Sequence, residues 1–142
     1  MKLFAKTYGH DNRDLIIIHG LFGMSDNWST IAKRLAANFK VHLLDLRNHG
    51  RSPHSDIFNY DGLSDDVVEY INDHNINKPI LLVHSLGGKV AMKIAFSYAE
   101  ILQKQVIVDI SPREYSIDFH KDLLSKIIKV NLEECDKRSD VE

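Results

Sequence analysis

The sequence predicts an α/β fold with a mainly parallel sheet and helices on both faces. Two observations predict it: four short, near-continuous apolar runs recur along the 142 residues, and segments with helical apolar spacing separate them. Continuous apolar runs are typical of strands buried on both faces, and parallel neighbours need crossover connections, which helices supply. No repeat or low-complexity stretch divides the chain, so we expect all of it to belong to one domain.

The predicted elements of the first half follow from apolar runs and from the residues that interrupt them. Residues 15–18 (LIII) form the first strand, which ends at a His-Gly pair. Ser25 is expected to cap a helix over about 25–35, because a serine side chain accepts from backbone N–H groups and apolar residues follow at helical spacing. Residues 41–46 (VHLLDL) form the second strand, and the residues 47–53, which contain Gly and Pro, form a loop.

The second half repeats this alternation of helix and strand. Residues 61–75 repeat apolar side chains at helical intervals and predict an amphipathic helix. Residues 80–83 (ILLV) form the third strand, and a helix follows over about 86–98. Residues 105–110 (QVIVDI) are predicted as a fourth buried strand, which can also be left as an exposed sheet edge that invites pairing with another chain. A last helix is predicted over about 117–130.

Composition excludes several classes of partner and site. The chain has 18 Lys and Arg against 20 Asp and Glu, a formal charge of −2, whereas nucleic-acid binding draws on a surplus of cationic residues. The single cysteine, Cys135, excludes an intrachain disulfide and a cysteine-based metal cluster, and it fits a reducing compartment. No apolar run has the length of a signal peptide or a membrane span. The sequence therefore predicts a cytoplasmic protein without a nucleic-acid, membrane or metal partner.

Ser85 is the strongest candidate for chemistry. Functional residues of parallel sheets gather at the carboxyl ends of the strands, and Ser85 lies between the third strand and the sequence Leu86-Gly87-Gly88 that opens a helix. A serine on such a tight turn, a nucleophile elbow, presents its hydroxyl and needs small neighbours. The same residues also suit a structural role, in which Ser85 caps the helix and the glycines permit close packing.

Backbone N–H groups near Ser85 are suited to hold a developing oxyanion. The N–H of Leu86 is at the helix N-terminus, where free N–H groups and the positive end of the dipole favour negative charge. Folds with a nucleophile elbow place the second donor in the loop after an earlier strand. Here that loop follows His19-Gly20, and the sequence leaves Leu21 and Phe22 as alternatives for the donor. A simple glycine turn is the structural alternative for this loop.

Two aspartates compete for the role of a catalytic acid. Asp109 ends the strand that follows Ser85 along the chain, where a carboxylate is suited to orient and stabilise a histidine. An aspartate before Ser-Pro also suits a simple turn. Asp45 is the rival acid, and its position beside Arg47 and Asn48 favours a structural pairing within the loop.

Four motifs, in order, show a family resemblance. Almost the whole chain resembles the first half of bacterial esterases of the α/β-hydrolase superfamily, especially the YbfF-type group. The matching segments are HGLFGMSDNW (His19 to Trp28), DLRNHGRSP (Asp45 to Pro53), HSLGGKVAM (His84 to Met92) and VDISPREY (Val108 to Tyr115). The resemblance implies that residues 1–142 are the N-terminal part of one α/β-hydrolase domain, with the cap region starting near residue 117.

The same resemblance implies a reaction: hydrolysis of a carboxylic ester or thioester through an acyl-enzyme. It implies that Ser85 is the nucleophile and Asp109 the triad acid, with Leu86 and either Leu21 or Phe22 as oxyanion donors. The implied partner is a small-molecule ester or thioester, and no metal or organic cofactor is implied.

The sequence departs from the family pattern at two points. Val83 stands where the family has the glycine two residues before the nucleophile, and a β-branched residue there is expected to widen or strain the elbow. The family's triad histidine lies near the end of a chain nearly twice this long, whereas this sequence stops at Glu142. His120, at the start of the last predicted helix, is the only conceivable stand-in among the 8 histidines.

These departures leave three readings of the chain. The first is a serine esterase that is incomplete, truncated before the last strands and without its histidine. The second is a non-catalytic α/β binding or interaction domain that keeps the fold without turnover. The third is one part of a split enzyme, in which a complementing C-terminal half supplies the histidine in trans.

Overall fold

The computed structural model describes residues 1–115 and 118–129, and the chain divides into two compact units, 1–112 and 113–142. The strands are Ala5–Tyr8 (β1), Asp14–Ile18 (β2), Lys40–Leu44 (β3), Ile80–His84 (β4) and Lys104–Val108 (β5). The helices are Ser29–Leu35 (α1), Tyr60–Asp73 (α2), Leu86–Ser97 (α3) and Asp118–Ile127 (α4), of which α4 belongs to the second unit.

The five strands form one sheet in the order β1-β3-β2-β4-β5. Strands β2 to β5 run parallel, with β2 between β3 and β4, and only β1 is antiparallel to its neighbour β3. The parallel strands alternate with helices, as crossover connections require. The predicted fold class, a mainly parallel sheet with helices, is therefore confirmed.

Alternating side chains of the strands bury against helices on opposite faces of the sheet. In β4, Leu81 and Val83 are fully buried and join a core that includes residues of α2 and α3. Leu82 lies on the other face and packs against the core that contains Ala32 of α1. Because both faces of the central strands are buried, their sequences are continuous apolar runs.

The N-terminal part of the structure corrects two sequence-based expectations. Strand β1 was not predicted, because its sequence AKTY has neither an apolar run nor clear alternation, and it forms through pairing with β3. The prediction that Ser25 caps a helix is wrong. Ser25 lies inside a 3₁₀ turn, Ser25–Trp28, that precedes α1, and its backbone N–H donates to Asp45. Within the described residues its buried hydroxyl has no hydrogen-bond partner.

The prediction of a fourth buried strand is also wrong. Strand β5 pairs only with β4 at the edge of the sheet, and Val106, Ile107 and Val108 are 37–49% exposed. Its apolar sequence resembles that of a central strand, but burial also depends on what lies beside the strand. The alternative expectation of an exposed sheet edge is the one that the structure shows. The strand ends at Val108, because Asp109 has a left-handed backbone with φ 56°.

The last helix of the described residues is α4. Helix α4 falls inside the predicted range 117–130, whose two end residues lie outside the described residues. The assignment of 117–142 to a cap region stays a prediction. Among residues 1–115 and 118–129, no helix has the length and apolar character needed to cross a membrane.

A buried ion pair fixes the loop after β3. Arg47 donates from Nε and Nη2 to the two carboxylate oxygens of Asp66 on α2, at 2.6 and 2.8 Å, and from Nη1 to the carbonyl of Ile57 at 2.9 Å. The guanidinium also fills the space beside Gly62, where a Cβ would lie 2.5 Å from Nη1. A side chain at position 62 would displace this guanidinium, so the glycine inside α2 leaves room for the buried pair.

Buried histidines make stability depend on pH. His42 is 2% exposed and hydrogen-bonds Tyr70 and Asp14, and His19 is 1% exposed. Burial lowers the pKa of both side chains below the usual 6.5. The unfolded chain consequently binds more protons below about pH 6.5, so the free energy of unfolding falls as pH decreases through that value.

We therefore expect the free energy of unfolding, measured in urea between about pH 5 and pH 7.5, to fall below about pH 6.5 by up to about 1.4 kcal/mol per pH unit for each of these two histidines. In His42→Gln the slope should decrease, because one of the two groups no longer titrates. His54→Gln, an exposed control, should keep the full slope. An unchanged slope in His42→Gln would contradict this explanation.

Candidate active site

Ser85 occupies a strained turn between β4 and α3. Its backbone has φ 48° and ψ −111°, a conformation rare for residues other than glycine, and its N–H donates to the carbonyl of Val108 at 3.1 Å. Its carbonyl accepts from the N–H groups of Gly88 and Lys89, which start α3. The predicted strand-serine-helix turn is thus present, and Ser85 is the residue in it that has a positive φ.

Gly87 permits the close approach of α3 to β2. A Cβ at this position would lie 2.8 Å from the carbonyl oxygens of both Ile18 and His19. Backbone oxygens cannot move aside as flexible side chains do. The close packing of α3 on β2 therefore requires a glycine at position 87, two residues after the serine.

We expect Gly87→Ala to lower the free energy of unfolding by about 1–3 kcal/mol, because the added methyl group overpacks a site bounded by backbone. Urea unfolding measures the change. Ser97→Ala, at the exposed end of the same helix, is the matched control and should stay within about 0.5 kcal/mol of the unchanged chain. If Gly87→Ala lowered the free energy of unfolding no more than Ser97→Ala does, α3 would be free to shift away from β2, which would contradict the packing argument.

The loop after β2 lies directly against the elbow. A Cβ on Gly20 would be 3.2 Å from the Cβ of Ser85 and 2.7 Å from Nδ1 of His84. The carbonyl of Gly20 accepts from the N–H of Gly23 at 3.0 Å and lies 2.8 Å from Nδ1 of His19. The structure thus brings the His19-Gly20 loop and Ser85 together at the carboxyl ends of β2 and β4.

The backbone N–H groups of this region differ in their partners. The Phe22 N–H donates to Nε2 of His49 at 3.3 Å. The N–H of Leu21 and that of Leu86, by contrast, have no hydrogen-bond partner within the part of the chain that the structure describes. Of the two alternatives that the sequence left for the second donor, Leu21 is the one with a free N–H.

Asp109 follows β5, the neighbour of β4, and so lies at the same end of the sheet as Ser85. Its side chain is 84% exposed, and Oδ2 is 3.7 Å from Nε2 of His84. The ring of His84 also lies near Trp28, with centroids 6.4 Å apart. Sequence reasoning did not connect His84 with Asp109. The parallel register of β4 and β5 could have indicated the contact, because it places His84 opposite Val108, the residue before Asp109.

Asp45 has the structural role that the sequence favoured for it. Its side chain is 1% exposed and accepts from the backbone N–H groups of Ser25 and Arg51. Gly50 packs directly on the carboxylate. The partners are backbone amides rather than the neighbouring Arg47 and Asn48, a detail that spacing could not provide.

Two histidines near this site accept hydrogen bonds from backbone amides. The ring of His19 accepts the N–H of Leu46 at 3.1 Å, and that of His49 holds the Phe22 amide. No group of three residues suited to hold a metal ion occurs among the side chains that the structure describes. The side chain of His120 lies outside the described residues.

Val83 fits the elbow without a glycine. It is fully buried beside Ile18 in the core shared with α3, and its φ is not in the left-handed region. The tight contacts of the elbow fall instead on Gly20 and Gly87. The expected strain is therefore located at Ser85 itself.

An open cleft of about 360 Å³ lies beside the loop after β2. Phe22, Met24 and Phe58 line it with partly exposed apolar side chains, and His49 lines it as well. The ring centroids of His49 and Phe58 are 6.0 Å apart. The cleft thus offers an apolar surface beside Leu21, one of the candidate oxyanion donors.

Comparisons with known proteins agree with this architecture. A family model described as the alpha/beta hydrolase fold matches residues 15–125. A putative esterase/lipase of Haemophilus influenzae is 42% identical over 116 residues, which are 82% of this chain and 40% of that protein. Esterase YbfF of Escherichia coli is 31% identical over 129 residues, which are 91% of this chain and 51% of that protein.

A solved structure extends the similarity to three dimensions. A marine microorganism esterase superposes with a TM-score of 0.91 at 34% identity, over 99% of this chain and 56% of that one. The chain thus spans about half the length of these relatives. The elbow, the order of the strands and the family match together show that the chain belongs to the family with the alpha/beta hydrolase fold.

Proposed function

We propose that this chain carries the nucleophile, the acid and the oxyanion donors of a serine hydrolase that cleaves carboxylic esters or thioesters. The observation that carries the proposal is the elbow: Ser85 has φ 48° at the start of α3, against a loop with a free Leu21 amide. Backbone strain of this kind is concentrated at functional sites. The esterase relatives support the same reaction class.

In the proposed reaction the Ser85 hydroxyl attacks the ester carbonyl and forms a tetrahedral intermediate. The N–H groups of Leu21 and Leu86 stabilise its oxyanion, each contributing about 3–4 kcal/mol if they resemble donors in other serine hydrolases. The base takes the Ser85 proton during the attack and gives it to the departing alcohol or thiol. An acyl-enzyme remains on Ser85, and water, deprotonated by the same base, then releases the acid. Asp109 would hold the tautomer of the base and stabilise its protonated form.

The base in this scheme is a histidine that reaches both Ser85 and Asp109. No described side chain hydrogen-bonds the Ser85 hydroxyl, and the ring of His84 lies 3.7 Å from Asp109. We propose that a complementing C-terminal half supplies this histidine; His120 is the alternative within this sequence. The proposed cytoplasmic location rests on the single cysteine.

We expect the 142 residues alone to hydrolyse a short activated ester, such as p-nitrophenyl acetate, no faster than their Ser85→Ala variant. Without a base the serine hydroxyl stays neutral and weakly nucleophilic. The experiment compares the rate of p-nitrophenyl acetate hydrolysis by the purified chain with the rates of its Ser85→Ala and His120→Ala variants. Brisk turnover that Ser85→Ala abolishes would show a base within the chain, and loss in His120→Ala as well would identify it.

The substrate proposal follows from the cleft. Its apolar lining by Phe22, Met24 and Phe58 suits an uncharged aliphatic or aromatic part of a small ester. If the nucleophile stayed inert even when a histidine-bearing segment is supplied, the non-catalytic binding domain would become the better reading.

A further inference from the structure

His49 connects the loop after β3 to the candidate oxyanion loop. Its ring is 8% exposed, Nδ1 lies 2.9 Å from the carbonyl of Arg47, and Nε2 accepts the N–H of Phe22 at 3.3 Å. A carbonyl oxygen can only accept, so Nδ1 carries the hydrogen and leaves Nε2 of the neutral ring as an acceptor. The tautomer that binds Arg47 is thus the one that binds Phe22.

This bond holds Phe22 in an unfavourable backbone conformation. Phe22 has φ 61°, in the left-handed region that a bulky residue rarely adopts. Such a conformation persists only where surrounding contacts enforce it. The hydrogen bond to His49 is a contact of this kind, and it directs the Phe22 amide toward the Arg47–Gly50 loop.

The peptide group between Gly20 and Leu21 has a different orientation from the one that carries the Phe22 N–H. The Gly20 carbonyl accepts from Gly23, and Nδ1 of His19 lies within hydrogen-bond distance of it. In a trans peptide the N–H is directed opposite to the carbonyl, so the Leu21 N–H points away from His19. Gly20 is itself in close contact with Ser85. The Phe22 amide is therefore hydrogen-bonded to His49, whereas the next amide before it, that of Leu21, has no partner within the described residues.

We propose that His49 is a positioning residue: by holding the Phe22 amide, it leaves the Leu21 amide as the donor that faces Ser85. The inference rests on the proposed function, because it concerns the oxyanion donors of the same site. His49 touches no reacting atom and acts through the backbone of Phe22.

Amide hydrogen exchange on the full 142-residue chain tests the bond. His49→Gln keeps an acceptor at the position of Nε2, whereas His49→Asn keeps only the donor toward Arg47. We expect the Phe22 amide to exchange about 10-fold or more slowly than its intrinsic rate in the unchanged chain and in His49→Gln, and that protection to be lost in His49→Asn. His54→Asn, at an exposed histidine, is the control and should keep the protection.

A carboxylate at the nucleophile position tests the direction of the amides. Ser85→Asp places a negative oxygen near the site of the oxyanion, and charge-assisted hydrogen bonds move amide protons downfield. We expect the Leu21 amide proton to move downfield in Ser85→Asp and the Phe22 proton to stay. With His49→Asn added, the Phe22 proton should respond as well. Ser97→Asp, at the exposed end of α3, should move neither.

Two results would overturn the inference: an unprotected Phe22 amide in the unchanged chain, or a downfield response of Phe22 rather than Leu21 to Ser85→Asp. Equal exchange of Phe22 in His49→Gln and His49→Asn would do the same, because a merely structural histidine gives no such difference. Neither measurement requires turnover. An inert Ser85 would therefore overturn the proposed function and leave this result intact.

Discussion

Replacement of Ser85 by alanine is expected to lower ester turnover by about 10⁴ to 10⁶ once a histidine is supplied, because the acyl-enzyme can no longer form. The chimera for this test joins the present chain to the part of the marine microorganism esterase outside the matched segment. Turnover of p-nitrophenyl acetate is measured for the chimera and its variants. The fall in kcat should far exceed any change in KM.

Two variants control this result. Asp109→Asn should lower kcat by about 10⁴, as loss of the acid does in a triad. Asp45→Asn alters the rival carboxylate, whose partners among the described residues are the amides of Ser25 and Arg51, so any protein that remains folded should keep its turnover per active molecule. An active Ser85→Ala chimera, or an Asp45→Asn chimera that is folded and inactive, would contradict the assignment.

The largest expected effect on stability comes from Asp66. In Asp66→Asn the buried guanidinium of Arg47 loses both charged contacts, and removal of one partner of a buried pair typically costs about 3–5 kcal/mol. Urea unfolding of the chain measures this cost. The double variant Arg47→Met/Asp66→Leu should recover most of the loss, because it removes the buried guanidinium, while the Met1 ammonium, the other charged partner of Asp66, still contacts Glu69.

An exposed ion pair on the same helix provides the comparison. Asp61 accepts from Lys93 at 2.6 Å with a 71% exposed side chain, and exposed pairs contribute about 0–1 kcal/mol. Asp61→Asn should thus change the free energy of unfolding by less than about 1 kcal/mol. If Asp66→Asn cost no more than Asp61→Asn, the buried pair would not be what fixes the loop after β3.

Local sequence predicted the parts of the fold that depend on local chemistry. The apolar runs of β2, β3 and β4 and the serine between strand and helix are visible without a structure, because central parallel strands and tight elbows demand these residues. Strand β1 was missed because pairing with β3, rather than its own sequence, makes it a strand. The burial of β5 was wrong because its apolar run looks the same at an edge as in the centre.

The contacts that complete the site lie beyond sequence spacing. His49 and Phe22 are 27 residues apart, and Arg47 and Asp66 are 19 apart, so their hydrogen bonds depend on how the loops pack. The choice between Leu21 and Phe22 was open in the sequence for the same reason. Only the orientation of consecutive peptide groups distinguishes the two amides.

If Ser85 is the nucleophile of an ester hydrolase, peptide mass spectrometry of a trapped acyl-enzyme should find the acyl group on that residue. The chimera is quenched in acid shortly after mixing with p-nitrophenyl acetate, digested, and searched for the acetylated peptide. We expect a single acetyl group on Ser85, absent from the Ser85→Ala chimera. An acetyl group on another residue together with full turnover, or turnover that persists without Ser85, would contradict it.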